Sequence, residues 1–435
     1  MAAEAKKEIK APESKISPEI KTARALTWFD ELRYDDHKKT KLESGSLHNT
    51  RLFLLNSDKY KGLFAFDEFT HETIVIRCPP WTPENKFKVH RITDADISHL
   101  AVALEQDEIS PGIAMLDRIV DITARDNAIH PARDYLLGLK WDGTERLGTW
   151  LTDYCKATRD NPEYLRAVGT TWLVGAATRI LRPGSKLDGM LVLEGEPDAG
   201  KSLVLKELAT FGGESYFTDA VTLDKLNDKD TAMILLGKVI VEFAELSGYN
   251  KREKEDIKRW VTMEVDEFRR PFGKRVERFP RQFVAAATHN PIGGWLTDPT
   301  GNRKFWPVLV GRKIDLDGIR RDREQLWAEA VHLAQNGFNL WLSEEHFKLA
   351  SEAQEERRSY HPWTDDVISI VKFKDFVTVP EILKALGVDV RFHGSRESKD
   401  IASILMVAGW VQGRQSVHGK QQRGWVKKHE IYQAP

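Results

Sequence analysis

One short segment carries the residue types that could hold a polyphosphate. Its glycines and its lysine–serine pair follow the spacing G-x-x-x-x-G-K-[ST] without a mismatch, and it reads Gly195-Glu196-Pro197-Asp198-Ala199-Gly200-Lys201-Ser202. In loops of this pattern the backbone N–H groups surround the phosphates, the lysine reaches the β- and γ-phosphates, and the hydroxyl binds Mg²⁺. The sequence therefore predicts a site for ATP and Mg²⁺. The whole loop and the following Leu203 are expected to contact the nucleotide, with Lys201 as a catalytic residue and Ser202 as a metal ligand.

Two later segments end apolar runs with polar side chains. The run Val239–Val241 is followed by Glu242 and Glu245, and a second run ends at Asn290. Open α/β sheets bind ligands at the carboxyl ends of their strands, so these side chains are candidates for catalysis. We predict that Glu245 polarises the attacking water and binds the metal, while Glu242 either assists the metal or pairs with a basic residue. Asn290 is predicted to sense the γ-phosphate or orient a water, although Asn-Pro is also an ordinary turn signal.

An arginine and a lysine follow on a turn within Asp298–Trp306. A guanidinium that one subunit supplies to the triphosphate of the next stabilises the charge of the transition state in phosphoryl transfer. We predict this role for Arg303, with Lys304 as the alternative, since a point charge suits a bidentate phosphate contact less well. A purely structural role for Arg303 in the turn is the other interpretation.

Basic and aromatic residues alternate between the two candidate strands. The segment Asp266–Arg278 contains a Pro-Phe-Gly sequence at its centre, which predicts a hairpin. Basic groups that grip phosphates beside an aromatic ring suit single-stranded DNA, and the candidates are Arg270, Lys274 and Arg275. A solvated basic loop is the alternative.

Residues 363–435 show helical patterns followed by a strand–turn–strand pattern, which predicts a winged-helix-like domain. Arg414, Lys420 and Arg423 lie in the predicted wing. This local positive charge makes duplex DNA a candidate partner. A winged helix that docks another protein is the alternative interpretation.

Composition limits the class of protein. Apolar residues make up 41% and charged residues 30% of the 435 residues, which is typical of a soluble globular chain. The formal net charge of −1 excludes a global basic field, so any nucleic-acid contact must be local. No apolar run reaches membrane-spanning length, and no membrane contact is expected. Cys78 and Cys155 are too few for a disulfide framework or a zinc site, which favours a reducing cytoplasm.

A chain of this length is expected to fold as about two to four domains. Strands alternate with helices over residues 186–345, which predicts an α/β fold with a parallel sheet. The run of Glu and Arg at 352–358 predicts a solvated helical face. Around the sheet we expect a disordered tail (1–25), a mostly helical N-terminal α+β region (26–140), a helical collar (141–185), a linker (346–362) and the winged-helix-like domain (363–435).

Together these segments resemble the superfamily 3 helicase type of AAA+ ATPase, and more closely the virulence-associated E protein family of phages and mobile elements. The resemblance covers roughly residues 110–345 and depends on the combination of motifs more than on any one of them. The segments that carry it are Asn127–Leu136, Leu139–Leu147, Pro183–Ser202, Val239–Leu246, Ala287–Asn290 and Asp298–Trp306.

The resemblance implies an AAA+ P-loop NTPase core and an ATP-dependent DNA helicase. Such proteins assemble as a ring, usually a hexamer, around DNA at the start of replication, in a bacterial cell or a phage-infected host. The resemblance also implies acid chemistry at Glu245, sensing at Asn290 and an arginine supplied in trans at Arg303. This chain departs from the pattern in its acidic loop residues Glu196 and Asp198 and in lacking the acidic cluster of an N-terminal primase-polymerase domain. Two alternatives stay open, an ATP-controlled DNA-binding regulator without unwinding activity and a ring that remodels proteins.

Overall fold

The structure is a computed structural model that describes residues 28–35, 41–222, 225–226, 228–246, 250–271, 273–290, 294–296, 302–358, 362–389, 395–417 and 420–427. The predicted tail lies outside these residues, as do Phe272 of the predicted hairpin and Asp298–Gly301 before Arg303. None of the described helices combines the length and the apolar character needed to cross a membrane. The described α-helices are α1 (Leu47–Asn56), α2 (Asp94–Glu105), α3 (Ile113–Arg125), α4 (Pro131–Gly138), α5 (Trp150–Asp153), α6 (Pro162–Leu181), α7 (Lys201–Leu208), α8 (Lys229–Leu235), α9 (Lys251–Val261), α10 (Leu316–Gln335), α11 (Glu344–Glu356), α12 (Thr364–Val371), α13 (Val379–Ala385) and α14 (Ser395–Val407).

The described strands fall into separate sheets along the chain, and the longest of them lie in the C-terminal part. In chain order they are β1 (Phe64–Asp67), β2 (Glu72–Val75), β3 (His90–Arg91), β4 (Ala128–Ile129), β5 (Met190–Glu194), β6 (Thr210–Phe211), β7 (Glu214–Ser215), β8 (Phe217–Thr218), β9 (Ile240–Phe243), β10 (Val265–Phe268), β11 (Glu277–Pro280), β12 (Val284–His289), β13 (Phe305–Leu309), β14 (Phe376–Val377), β15 (Trp410–Val417) and β16 (Lys420–Lys427).

The N-terminal residues pack helices on a small sheet with the strand order β3-β2-β1-β4. Helix α3 places Leu116, Ile119 and Val120 in the buried core of this region, as apolar residues at helical spacing require. The region also contacts the larger sheet, because His130 Nε2 lies 2.6 Å from Gln282 Oε1 just before β12.

The central sheet has five strands in the order β13-β5-β12-β9-β8. Every neighbouring pair in it is parallel. Its strands are apolar on both sides because helices α6, α7 and α10 cover one face and α9 covers the other. The chain is therefore a mixed α/β protein, and the prediction of a parallel sheet in 186–345 is confirmed.

Helix α6 lies inside the predicted collar (141–185) and belongs to the same core as the sheet. Asn161 caps its first turn by accepting a hydrogen bond from Glu163 N. Most of its side chains are buried, and Trp172 Nε1 donates to Ala285 O of β12 at 2.8 Å. This hydrogen bond satisfies the only polar atom of a large buried side chain and fixes the helix on the sheet.

Helix α11 occupies most of the predicted linker (346–362). Ala350 and Ala353 on this helix are buried in the core that contains the central sheet. Arg357, which directly follows the last residue of this helix, has a side chain only 11% exposed. The prediction of a solvated face over 352–358 is therefore wrong for Arg357, whose charge is paired with buried carboxylates.

The C-terminal residues form a cluster with its own core. Helices α12, α13 and α14 pack on a sheet with the order β14-β16-β15, and Trp410 and Trp425 are buried between them. Strands β15 and β16 form a long antiparallel hairpin in which Trp410 pairs with Lys427 and Val417 with Lys420.

Candidate functional site

The central sheet brings three predicted segments together at one edge. Strand β12 lies between β5 and β9, with Glu194 opposite His289 and Phe243 opposite Ala287. Because these strands are parallel, their carboxyl ends share one edge. The predicted phosphate loop, the residue Asn290 and the acidic strand end therefore lie next to one another.

The backbone of residues 195–202 has the conformation that a tight loop requires. Gly200 has a φ of 94° and Asp198 a φ of 60°, both in the left-handed region. A Cβ atom at Gly195 would lie 2.7 Å from Val310 Cγ2, so only glycine fits there without a shift. Helix α7 begins directly at Lys201, which places its free N–H groups beside the loop.

Lys201 is buried and joins the loop to the tip of β12. Its ammonium group donates to Gly195 O at 2.8 Å, to Glu196 O at 2.7 Å and to Asn290 Oδ1 at 2.9 Å. Burial lowers the pKa of Lys201, and the nearby Asp198 and Glu242 carboxylates oppose that shift. All three ammonium donors are thus engaged, and a phosphate oxygen would take the place of one or more of these acceptors.

Glu242 connects the phosphate loop to the two inner strands. Its Oε1 accepts hydrogen bonds from Ser202 Oγ and from Thr288 Oγ1, each at 2.7 Å. The residue is 1% exposed, and its Oε2 has no hydrogen-bond partner among the described residues. Burial raises the pKa of Glu242, while the two hydroxyl groups oppose this.

These groups fit a magnesium ion of the kind that phosphate loops hold. A hydroxyl and a carboxylate with a free oxygen are hard oxygen ligands, and in such sites phosphate oxygens and water complete the coordination. Among the described residues no cluster of three or more His, Cys, Asp or Glu side chains could hold a metal by itself. Ser202 and Glu242 are the pair that would hold Mg²⁺ together with a triphosphate.

Glu245, the acid favoured by the sequence, lies beyond the end of β9. It is exposed and has a φ of 53°, which is uncommon for a residue with a side chain. Glu245 makes no hydrogen bond or ion pair with a described residue, whereas Glu242 is bonded to Ser202. The Glu245 carboxylate is therefore available to solvent at the same sheet edge.

Arg303 and Lys304 lie in one turn of 3₁₀ helix, Asn302–Lys304, before β13. Lys304 Nζ donates to Lys258 O at 3.0 Å, and its side chain is half-buried. Arg303 is exposed and makes no hydrogen bond or ion pair within the described part of the chain. Arg303, rather than Lys304, therefore has a charged group that is available to a neighbouring molecule.

The predicted hairpin is formed by β10 and β11, and its three DNA candidates differ in their surroundings. Arg270 is half-buried, donates to His71 O at 2.8 Å, and lies over the ring of Phe279. It therefore fixes the hairpin to the N-terminal region. Lys274 and Arg275 lie at the exposed tip and contact no acidic group among the described residues.

The three candidates in the C-terminal hairpin occupy its two strands. Arg414 on β15 is directly opposite Arg423 on β16, and both side chains are exposed. Like charges directly opposite each other destabilise a strand pair, so this position is suited to an anion. Lys420 pairs with Val417 at the start of β16, and its side chain lies outside the described residues.

A buried ionic cluster beside the phosphate loop was not predicted from the sequence. Arg357 donates to Glu194 Oε2 and to Asp160 Oδ1, each at 2.6 Å. Trp295 Nε1 donates to Glu194 Oε1 at 2.5 Å. The one available signal was Glu194 itself, an acidic residue at the end of an apolar strand just before Gly195.

The described fold defines a mixed α/β protein with a parallel five-stranded sheet and a glycine-rich loop at its carboxyl edge. The chain belongs to the virulence-associated protein E-like family, because the family model of the virulence-associated protein E-like domain matches residues 136–359, just over half of the chain.

Solved structures with some likeness include two apo structures of a protein region called the NrS-1 C terminal region. One has a TM-score of 0.47 and 13% identity, and covers 84% of this chain and 96% of that chain. The A form apo structure has a TM-score of 0.43 and 14% identity over the same shares. No curated protein matches the sequence at a significant level.

Proposed function

We propose that this protein is an ATP-dependent DNA helicase or translocase of a phage or mobile element, which acts as an oligomeric ring in replication initiation. The observation that carries the proposal is the contact of Ser202 with Glu242, beside the contact of Lys201 with Asn290. These contacts join a phosphate loop, an acid and an amide side chain at one sheet edge, which is the set that phosphoryl transfer from ATP requires.

The strand order supports an AAA+ P-loop NTPase core. The strand before the phosphate loop is flanked by β13 and β12, so the Asn290 strand separates it from the acidic strand. In the C-terminal part, three helices on a three-stranded antiparallel sheet support the winged-helix-like domain.

In this proposal each residue has one role. Lys201 binds the β- and γ-phosphates, and Ser202 and Glu242 hold Mg²⁺, which neutralises charge on the phosphates when bound. Glu245 accepts the proton of the attacking water, and its exposure supports this role because water reaches it freely. Asn290 leaves Lys201 to contact the γ-phosphate.

Arg303 completes the site of the neighbouring subunit in this proposal, which is why a ring is required. Replacing Arg303 with alanine is expected to reduce ATP turnover by on the order of 10³-fold while ATP binding is retained. Equilibrium binding of labelled ATP and a turnover assay, both performed on the same variant, check this. The control variant is Arg320→Ala, which removes another exposed arginine. Loss of ATP binding in Arg303→Ala would exclude the trans role.

DNA contacts are assigned to the two hairpins. Lys274 and Arg275 at the tip of the β10–β11 hairpin are proposed to grip single-stranded DNA, since Arg270 is engaged with His71. Arg414 and Arg423, with Lys420, are proposed to bind duplex DNA, because an anion would relieve the repulsion between the two arginines.

A strand-displacement assay with parallel measurement of ATP hydrolysis tests the proposal. We expect Lys201→Ala to abolish both activities, and Lys274→Ala to reduce unwinding while hydrolysis continues. The matched control is Lys348→Ala, which removes an exposed lysine far along the chain from the hairpin. Hydrolysis and DNA binding without any unwinding, unaffected by Lys274→Ala, would instead establish an ATP-controlled DNA-binding regulator.

A further inference from the structure

A cavity of about 340 Å³ lies at the carboxyl edge of the central sheet, on the face opposite Ser202 and Glu242. Side chains alternate between the faces of a strand, so Glu194 and His289 point to this face, whereas Thr288 points to the other. The cavity is therefore separate from the phosphate loop, although two of its residues directly precede Gly195 and Asn290.

Most charged groups in the wall of the cavity already have partners. The Arg357 guanidinium is bonded to Glu194, Asp160 and Glu356. The second oxygen of Asp160 accepts from Leu309 N at 2.7 Å. Burial raises the pKa of Glu194, and Arg357 opposes that shift. These groups form a rigid wall that needs no ligand to satisfy it.

His289 is the exception in this wall. It is 2% exposed, and neither ring nitrogen has a hydrogen-bond partner among the described residues. Burial, with help from Lys254 and Lys201, lowers the pKa of His289 to about 4, so the ring is neutral and offers one donor and one acceptor. Its ring centroid lies 5.2 Å from that of Trp295, which adds an aromatic surface. A buried donor–acceptor pair without partners is costly to maintain, and a ligand would satisfy it.

The mouth of the cavity carries the remaining polar groups. Arg159 is exposed and makes no hydrogen bond or ion pair with any described residue. The side chain of Glu356 is 74% exposed and only weakly engaged, at 3.3 Å from Arg357. The cavity thus has a neutral donor–acceptor pair beside an aromatic ring in its buried part. A carboxylate and a guanidinium lie at its mouth.

We propose that this cavity binds a mononucleotide unit. The planar base would pair with His289 and contact Trp295, the Glu356 carboxylate would accept from the ribose hydroxyls, and Arg159 would bind the phosphate. A volume of 340 Å³ is at the lower end of ligand pockets, which suits a nucleoside monophosphate better than a dinucleotide. The site does not depend on whether the phosphate loop hydrolyses ATP.

Equilibrium dialysis of the full chain with radiolabelled AMP tests this site. The variant Lys201→Ala is measured beside the wild type, because it weakens binding at the phosphate loop and leaves the cavity unchanged. We expect one AMP per chain in both the wild type and Lys201→Ala. His289→Phe keeps an aromatic ring but removes both hydrogen-bonding atoms, so AMP affinity should fall about tenfold or more. Arg159→Ala should weaken AMP about tenfold and adenosine little, because only AMP carries the phosphate.

The matched control is Arg312→Ala. It removes an arginine whose side chain is 89% exposed and lies near Glu196 of the phosphate loop, outside the cavity. It should leave AMP binding unchanged. A 5′-phosphorylated oligodeoxynucleotide that displaces AMP would identify a DNA strand end as the source of the nucleotide, and failure to displace would identify a free nucleotide.

Absent AMP binding at millimolar concentration, or binding that Lys201→Ala abolishes, would overturn the proposal. Equal AMP affinity in the wild type, His289→Phe and Arg159→Ala would do the same. Because Arg159 is exposed, its variant keeps the test decisive even if His289→Phe does not fold. Unchanged ATP binding in Lys201→Ala would count against the proposed function and leave the AMP site intact.

Discussion

The two faces of the central sheet hold buried glutamates in opposite states at the same edge. On the face with the phosphate loop, Glu242 accepts two hydroxyl hydrogen bonds at one oxygen and leaves Oε2 without a partner among the described residues. On the face with the cavity, both oxygens of Glu194 are engaged, one by Trp295 and one by Arg357.

The difference separates a group that stabilises the fold from one that is available to a ligand. A buried carboxylate that is paired through both oxygens fixes its neighbours, and removing its partner leaves a charge in an apolar environment. A buried carboxylate with a free oxygen is costly until a cation or donor binds, and such groups concentrate at functional sites. The two glutamates should therefore respond differently to the same substitutions.

The largest effect is expected on the cavity face. Arg357→Leu would leave Glu194 and Asp160 buried without their cation, and the free energy of unfolding should fall by about 3–5 kcal/mol. Urea denaturation followed by circular dichroism measures this. Arg320→Leu removes an exposed partner of Glu207 and should cost less than about 1 kcal/mol. Equal losses in the two variants would show that the buried cluster does not stabilise the fold.

The second-largest effect is expected when Glu242 and Glu194 are each replaced with glutamine. In the proposed function Glu242 would hold the metal, so Glu242→Gln should reduce ATP turnover by about 10²–10³-fold. The same exchange should leave the free energy of unfolding unchanged or higher. Glu194→Gln should reduce the free energy of unfolding by about 1–3 kcal/mol, because the amide bonds Arg357 less strongly. Turnover and urea denaturation of both variants check this, and interchanged results would reverse the roles of the two faces.

Local sequence patterns indicated candidate residues on one face and none on the other. The phosphate loop and the polar strand ends of the first face are contiguous segments, so their residues could be identified from spacing alone. Arg357 looked like part of a solvated run because its partners Glu194 and Asp160 are 163 and 197 positions away. Likewise nothing in the sequence indicates that Arg270, a predicted DNA contact, donates to His71 O, because His71 is 199 positions away.

The choice between Glu242 and Glu245 also lay beyond the sequence. Glu242 lies within β9, whereas Glu245 lies two residues beyond its end, where a left-handed backbone takes the side chain out of the strand pattern. Only the packing of Ser202 and Thr288 around Glu242 shows which carboxylate faces the loop.

A smaller effect concerns pH. Burial raises the pKa of Glu242 above its ordinary value of 4.5, so the folded state binds this proton more tightly than the unfolded chain. Its contribution to stability is full below pH 4.5 and is lost as the pH rises through the folded pKa. The free energy of unfolding of Glu242→Gln relative to wild type should therefore increase as the pH rises above 4.5. A difference that is independent of pH would mean that the carboxylate is not destabilised by burial.

The smallest expected effect isolates the hydroxyl groups that distinguish Glu242 from Glu194. Thr288→Val keeps the shape of the side chain but removes one donor to Glu242 Oε1, so the free energy of unfolding should fall by about 1 kcal/mol at neutral pH. The pKa of Glu242 should rise further, because that hydroxyl favours the charged form, and the loss should shrink as the pH falls and the carboxyl protonates. The control is Thr178→Val, which removes a buried hydroxyl bond to Val174 O without touching a carboxylate, so its loss should not vary with pH. If both variants showed the same pH dependence, the hydroxyl groups would not tune Glu242, and its free oxygen would be the only difference between the two faces.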